Sequence, residues 1–175
     1  MGYHKGDVFE EIINISNKAY KRKGIALVQK IATPMKPIRR GGKITSAYYE
    51  EKSTLDFIGV YQGMPLAFDA KETREENRFP LSNIQDHQIN FMKNWYEHGG
   101  IAFLLINFTK LDKVYRLDWL TLSWYWKQYQ KNKGKRGFGS IAFNEFECNC
   151  KKIKSRDGIM LDYLEGIDSE ETKNN

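Results

Sequence analysis

This sequence lacks the marks of a disulfide scaffold or a membrane-spanning helix. Its two cysteines, Cys148 and Cys150, form a C-x-C pair. Two neighbouring thiols are a poor basis for a disulfide framework, and neither a second pair nor histidines complete a zinc site. Reduced thiols in a cytosolic protein are expected. No apolar run approaches the roughly 20 residues that cross a bilayer. The opening MGYHKGDVFEE has no apolar stretch of a secretory signal, and Gly6 stands where a myristoylation pattern takes Ser or Thr. A cytoplasmic location without membrane contact is therefore expected. There are no internal repeats and no sign of a second domain.

What is present suits a globular chain. At 175 residues and 41% hydrophobic content, one domain spanning 1–175 has enough length for a core. Ten Tyr, ten Phe and four Trp are available to fill it. The net charge is +6, and it is unevenly placed. Residues 21–52 hold nine Lys or Arg against Glu50 and Glu51. Residues 127–156 hold nine more against Glu145 and Glu147. From Asp157 onward there are six acids against Lys173, with an acidic tail at about 165–175. Two basic blocks around a mildly acidic middle fit a polyanionic partner, and equally fit solvated loops and helix faces.

Periodicity gives the elements. DVFEEIINISNKAY, residues 7–20, has helical spacing in Val8, Ile12, Ile15, Ala19 and in Phe9, Ile13, Tyr20, and Gly24 ends it. IALVQKIA reads as a strand. The stretch from about 33 to 52 follows, irregular, with two prolines and a Gly-Gly. TLDFIGVY and MPLAFDAKET read as a hairpin turning at Gln62-Gly63. A helix capped at Ser82 or Asn83 follows, with Gly99 beyond its end, and IAFLLINF is a strand buried on both faces. KVYRLD is a strand and WLTLSWYWKQYQK a helix. Ser140 is a candidate cap for a further short helix, and GIMLDYL is a strand or a docking tail. The expected fold is α/β, a mixed central sheet flanked by helices.

Alternation sorts the charges in FDAKET. Leu66, Phe68 and Ala70 share one face, and Asp69 and Lys71 share the other. Glu72 turns away from them. Across the hairpin, Asp56 falls where it meets Asp69. Two close carboxylates raise a pKa unless a cation sits between them. Mg²⁺ suits such a site, with few carboxylates and open positions for water and phosphate. Lys71 is placed to stabilise charge on an attacked phosphate. Gln88 is the polar member of the row Ile84, Gln88, Phe91, Trp95, and its carbonyl can complete a metal's environment. Each residue alone also suits a plain structural role. Their agreement is what points to chemistry.

Acid, then acid-x-Lys, then Gln is the pattern of the PD-(D/E)xK nucleases. The longer run TLDFIGVYQGMPLAFDAKET…FPLSNIQDHQINFMKNWYEHGG closely resembles the core of the RecU family, bacterial Holliday junction resolvases. KGDVFEEIINISN resembles the family's first helix and LDYL its closing segment, with little likeness from about 120 to 155. The resemblance implies a restriction-endonuclease-like nuclease core. It implies a homodimer that nicks four-way junction DNA symmetrically with Mg²⁺ or Mn²⁺, in recombination and repair. Metal positions carry onto Thr54, Asp56, Asp69 and Gln88, and the lysine that stabilises the transition state onto Lys71. Asp69 stands where the family usually has Glu, one methylene longer. Glu10 aligns with a first-helix Glu of the superfamily, although spacing puts it away from the apolar stripe. A protruding stalk is implied at about 33–52, with Arg39, Arg40 and Lys43 on phosphates and Tyr48 or Tyr49 stacking on bases. Glu50 and Glu51 run against that role. A recombinase partner is compatible with this activity. A restriction-type or less selective nuclease, and a non-catalytic DNA-binding relative, remain the alternatives.

Overall fold

The computed structural model describes residues 7–32, 35–49 and 54–167. Thr33, Glu50, Glu51 and Lys52 of the expected stalk, and the acidic tail beyond Ile167, lie outside these residues.

Helix α1 (Asp7–Arg22) leads into strand β1 (Ala26–Lys30). Phe9, Ile13, Ala19 and Tyr20 are buried, and so are the polar Ser16 and Asn17. Val8 and Ile15, expected in the apolar stripe, are 58% and 41% exposed. The inner face is therefore rotated from the one that apolar spacing marks. The cause lies at the other end of the chain. Ser16 Oγ accepts the Leu161 N–H, Asn17 Oδ1 accepts the Tyr163 hydroxyl, and the Tyr20 hydroxyl donates to Asp162. Polar groups with secured partners can sit inside. The same rotation moves Glu10. Expected on the far side of the helix, it is half-buried and pairs with Lys30 of β1.

The stretch expected to be irregular is a hairpin. β2 (Met35–Arg40) and β3 (Lys43–Tyr49) pair antiparallel. They turn at Gly41 and Gly42, whose φ values of +57° and +80° suit residues without a Cβ. Every side chain from Lys36 to Tyr48 is exposed, so no buried face imposes the alternation by which strands are recognised.

β4 (Phe57–Tyr61) and β5 (Met64–Thr73) form the expected hairpin, with positive φ at Gln62 and Gly63. A short strand, β6 (Arg78–Pro80), and a 3-10 turn, Leu81–Asn83, precede helix α2 (Asp86–Glu97). The N-cap is Gln85, because Ser82 and Asn83 are taken up by the 3-10 turn. Then come β7 (Ile101–Phe108), β8 (Lys113–Asp118), α3 (Trp119–Lys131), β9 (Ser140–Ala142), α4 (Phe143–Asn149) and β10 (Lys151–Ile153). Ser140 belongs to β9 rather than capping a helix. GIMLDYL docks as a tail that buries Ile159, Tyr163 and Leu164.

The main sheet has the order β1-β4-β5-β7-β8-β10. The β5–β7 pairing is parallel, with α2 crossing between, and its other pairings are antiparallel. On one face α1 and the tail cover Phe57, Phe68 and Phe103, whose rings stack at 4.9 and 4.8 Å. On the other, α2, α3 and α4 cover Ala67, Leu104, Ile106 and Phe108. Each large apolar side chain removed from water contributes about 1.5–3 kcal/mol. The fold is the expected one, a central mixed sheet flanked by helices.

Candidate active site

β5 divides its side chains as alternation requires. Leu66, Phe68 and Ala70 pack with the core under α1, and Ala67 with the core under α2. Asp69 therefore points to the α2 side, two residues beyond Ala67. Its side chain is 1% exposed, a setting in which a carboxylate needs partners. Oδ2 has two. Lys71 Nζ lies 2.6 Å away, and Gln88 Nε2 donates at 3.1 Å. Oδ1 is buried and has no hydrogen-bond partner.

Asp56 lies just before β4, which ends its pairing with β5 at Phe57–Phe68. Past that point the Ala70 N–H has no β4 carbonyl to meet. Asp56 Oδ2 accepts it instead, at 3.0 Å. The side chain is thereby fixed against the strand segment that carries Asp69 and Lys71. Burial, and then the charge of Asp69, push the Asp56 carboxyl up to about 6. The Ala70 N–H and the Lys71 ammonium oppose that rise. Carboxylate repulsion across the hairpin, expected from alternation, is thus present.

Gln88 is buried in the first turn of α2, and both ends of its amide are engaged. Oε1 accepts the Gln85 N–H at 3.1 Å while Nε2 faces Asp69. Reversing the amide would set two donors against each other at Gln85, so the capping interaction fixes its orientation. The carbonyl expected to face a metal is turned to the helix cap. Apolar spacing does not mark Gln85, although Gln85-x-x-Gln88 has the spacing of a capping box.

Asp56, Asp69, Lys71 and Gln88 are therefore brought together. Thr54 is exposed at the beginning of its described segment. Arg39, Arg40 and Lys43 are exposed near the tip of the β2–β3 hairpin, and Tyr48, opposite Lys36 toward its open end, is 50% exposed. Glu72 takes the opposite face and accepts from Asn107 at 3.0 Å. Cys148 and Cys150 are both free, and burial pushes the Cys150 thiol up to about 12. Among the described residues, no group of three His, Cys, Asp or Glu gathers into a metal cluster. No helix among them is long and apolar enough to cross a membrane.

Comparison with known proteins adds three likenesses. The family model described as RecU, recombination protein U, matches residues 4–169. The Holliday junction resolvase RecU of Staphylococcus aureus strains JH9 and COL is 39% identical over 170 residues, covering 94% of this chain and 80% of each relative. Among solved structures, Archaeoglobus fulgidus Hjc, a Holliday junction resolvase from an archaeal hyperthermophile, matches with a TM-score of 0.41 and 8% identity. That match covers 78% of this chain and 92% of the other.

Proposed function

The chain belongs to the RecU family, and from that membership we propose that it is a Holliday junction resolvase, a divalent-metal-dependent endonuclease that nicks four-way DNA junctions symmetrically. The observation that carries the reading is the pairing of Asp69 Oδ1, buried without a partner, with a second carboxyl pushed up to about 6 beside it. A cation relieves both conditions. It satisfies the orphaned oxygen and lets Asp56 ionise at neutral pH. Oxygen donors of this kind suit a hard ion, Mg²⁺ or equally Mn²⁺.

Asp56 and Asp69 would hold the ion, with Thr54 a further oxygen from the chain entering the site. When bound, the ion polarises the phosphodiester and activates a water for in-line attack. Lys71 stabilises the negative charge that develops on the attacked phosphate. Gln88 keeps Asp69 oriented through its amide and ties that orientation to the first turn of α2. Asp69, shorter than the family's usual Glu, still reaches Gln88 and Lys71 from β5. The β2–β3 hairpin would act as the stalk, with Arg39, Arg40 and Lys43 on phosphates. A homodimer sets two such sites on symmetric strands of one junction. One nuclease domain, a cytoplasmic setting and a recombinase as protein partner complete the reading.

Replacement of Asp56 by Asn tests the site. Asp56→Asn removes a direct ligand, so cleavage should fall by more than the roughly 10–100-fold that loss of a metal's outer partner costs. Junction binding should persist. Unchanged cleavage in a side-by-side assay would place the chemistry elsewhere.

A further inference from the structure

The second basic block has no part in the site so far. From Trp119 to Asn144 the chain contains no Asp or Glu, yet it carries Lys127, Lys131, Lys133, Lys135 and Arg136. All five are exposed, and among the described residues no carboxylate pairs with any of them. Surfaces that serve only solubility mix the two signs, and a field of one sign repels itself unless a partner neutralises it.

The tip of this block is a shaped loop, residues 132–139. Gly134 and Gly137 have φ of +86° and +91°, which side chains strongly disfavour. Lys135 N–H donates to the Asn132 carbonyl and closes a turn. Both ends are tied down. Asn132 N–H bonds the Gln128 carbonyl at the end of α3, and the Gly139 carbonyl accepts the Leu81 N–H at 3.0 Å. Phe138, between the basic residues and that anchor, is 37% exposed.

The anchor ties the loop to the segment that leads into the active site. Leu81 begins the 3-10 turn that runs into the Gln85 cap, and Gln88 in the next turn holds Asp69. The chain from Leu81 to Gln88 spans at most about 25 Å even when fully extended. Arg136 stands three residues from Gly139, which adds at most about 11 Å, so the whole path is about one turn of duplex, roughly 34 Å. The loop, α2 and the carboxylates all belong to the same side of the main sheet. A duplex with its scissile phosphate at Asp56, Asp69 and Lys71 therefore has further phosphates within reach of Lys133, Lys135 and Arg136.

We propose that the loop at 132–139 is a second DNA contact, which grips the phosphate backbone of a duplex arm next to the cleaved strand. The proposal rests on the nuclease reading above and adds a surface to it. The contact is to phosphate, so it is independent of sequence and shared by junctions and linear duplex.

The test is the triple variant Lys133→Gln/Lys135→Gln/Arg136→Gln, compared with wild type by fluorescence anisotropy on a four-way junction across a salt series. Affinity should fall roughly tenfold at 0.1 M salt for each phosphate left without its cation, and the slope of log K against log salt should shrink by about 0.9 for each. Lys133→Arg/Lys135→Arg, which keeps the charge, should bind as wild type does. Wild-type affinity and slope in the triple variant overturn the proposal and leave an acidic protein as the surface's partner. Loss of affinity in the charge-keeping variant also overturns it, because a change of loop shape then explains both results. Failure of the nuclease reading looks different, since wild type itself would then fail to cut the junction.

Discussion

Asp56 shows how much a single residue's surroundings decide. Its carboxyl is pushed up to about 6, first by burial and then by Asp69. In the unfolded chain an Asp titrates near 3.9. Between those values the folded protein binds more protons, so metal-free stability falls as pH rises from about 4 to about 6. Asp56→Asn removes that loss. In EDTA its Tm at pH 7.5 should exceed that of wild type by a shift worth about 1–2 kcal/mol, after allowance for partial exposure. Below pH 4 the two should converge, and calorimetry across this range checks both ends. A divalent cation held there would reverse the trend, because it competes with the proton. Mg²⁺ should raise the wild-type Tm more at pH 7.5 than at pH 5. Gln88 acts through Asp69. Gln88→Leu should weaken Mg²⁺ or Ca²⁺ binding by roughly 10–100-fold in a calorimetric titration. Unchanged affinity would mean that the Gln88 amide does not hold Asp69 in place.

At the scale of elements, the β2–β3 hairpin is the clearest place to intervene. Arg39→Gln/Arg40→Gln/Lys43→Gln should weaken junction binding and lower its salt slope by about 0.9 for each phosphate no longer neutralised. A gel-shift titration at two salt concentrations measures both. The hairpin also shows where sequence patterning runs out. Every described side chain from Lys36 to Tyr48 is in water, and these residues show no buried alternation. β9 and β10, three residues each, are too short to carry a period. The inner face of α1 is set by Leu161, Asp162 and Tyr163, more than 140 positions away. No local window holds that information, and the position of Glu10 depends on it too. By contrast, β5 and β7 are legible because their side chains meet a core on both faces. Asp56, Asp69, Lys71 and Gln88 are legible because alternation and helical spacing fix which way each points. The double use of Gln88 is not, since it depends on where the helix begins.

Across the whole molecule, the fold puts its few buried charges to distinct uses. Arg116, 4% exposed, pairs with Asp118 and donates to the carbonyls of Tyr163 and Glu165, which fastens the closing segment over the α1 side. Asp69 sits on the opposite side, with one oxygen left free of partners. The β2–β3 hairpin lies in the chain between β1 and β4, ahead of Asp56, and the loop at 132–139 is anchored ahead of α2. On the proposed function, the basic residues of both segments would hold DNA while the acids meet the scissile phosphate. The measurement that bears on this most directly is cleavage of a synthetic four-way junction beside a linear duplex of the same sequence, with and without Mg²⁺. A resolvase nicks the junction at symmetric positions only when Mg²⁺ is present and leaves the duplex largely intact. Equal rates on the two substrates, or cutting that survives in EDTA, would contradict it.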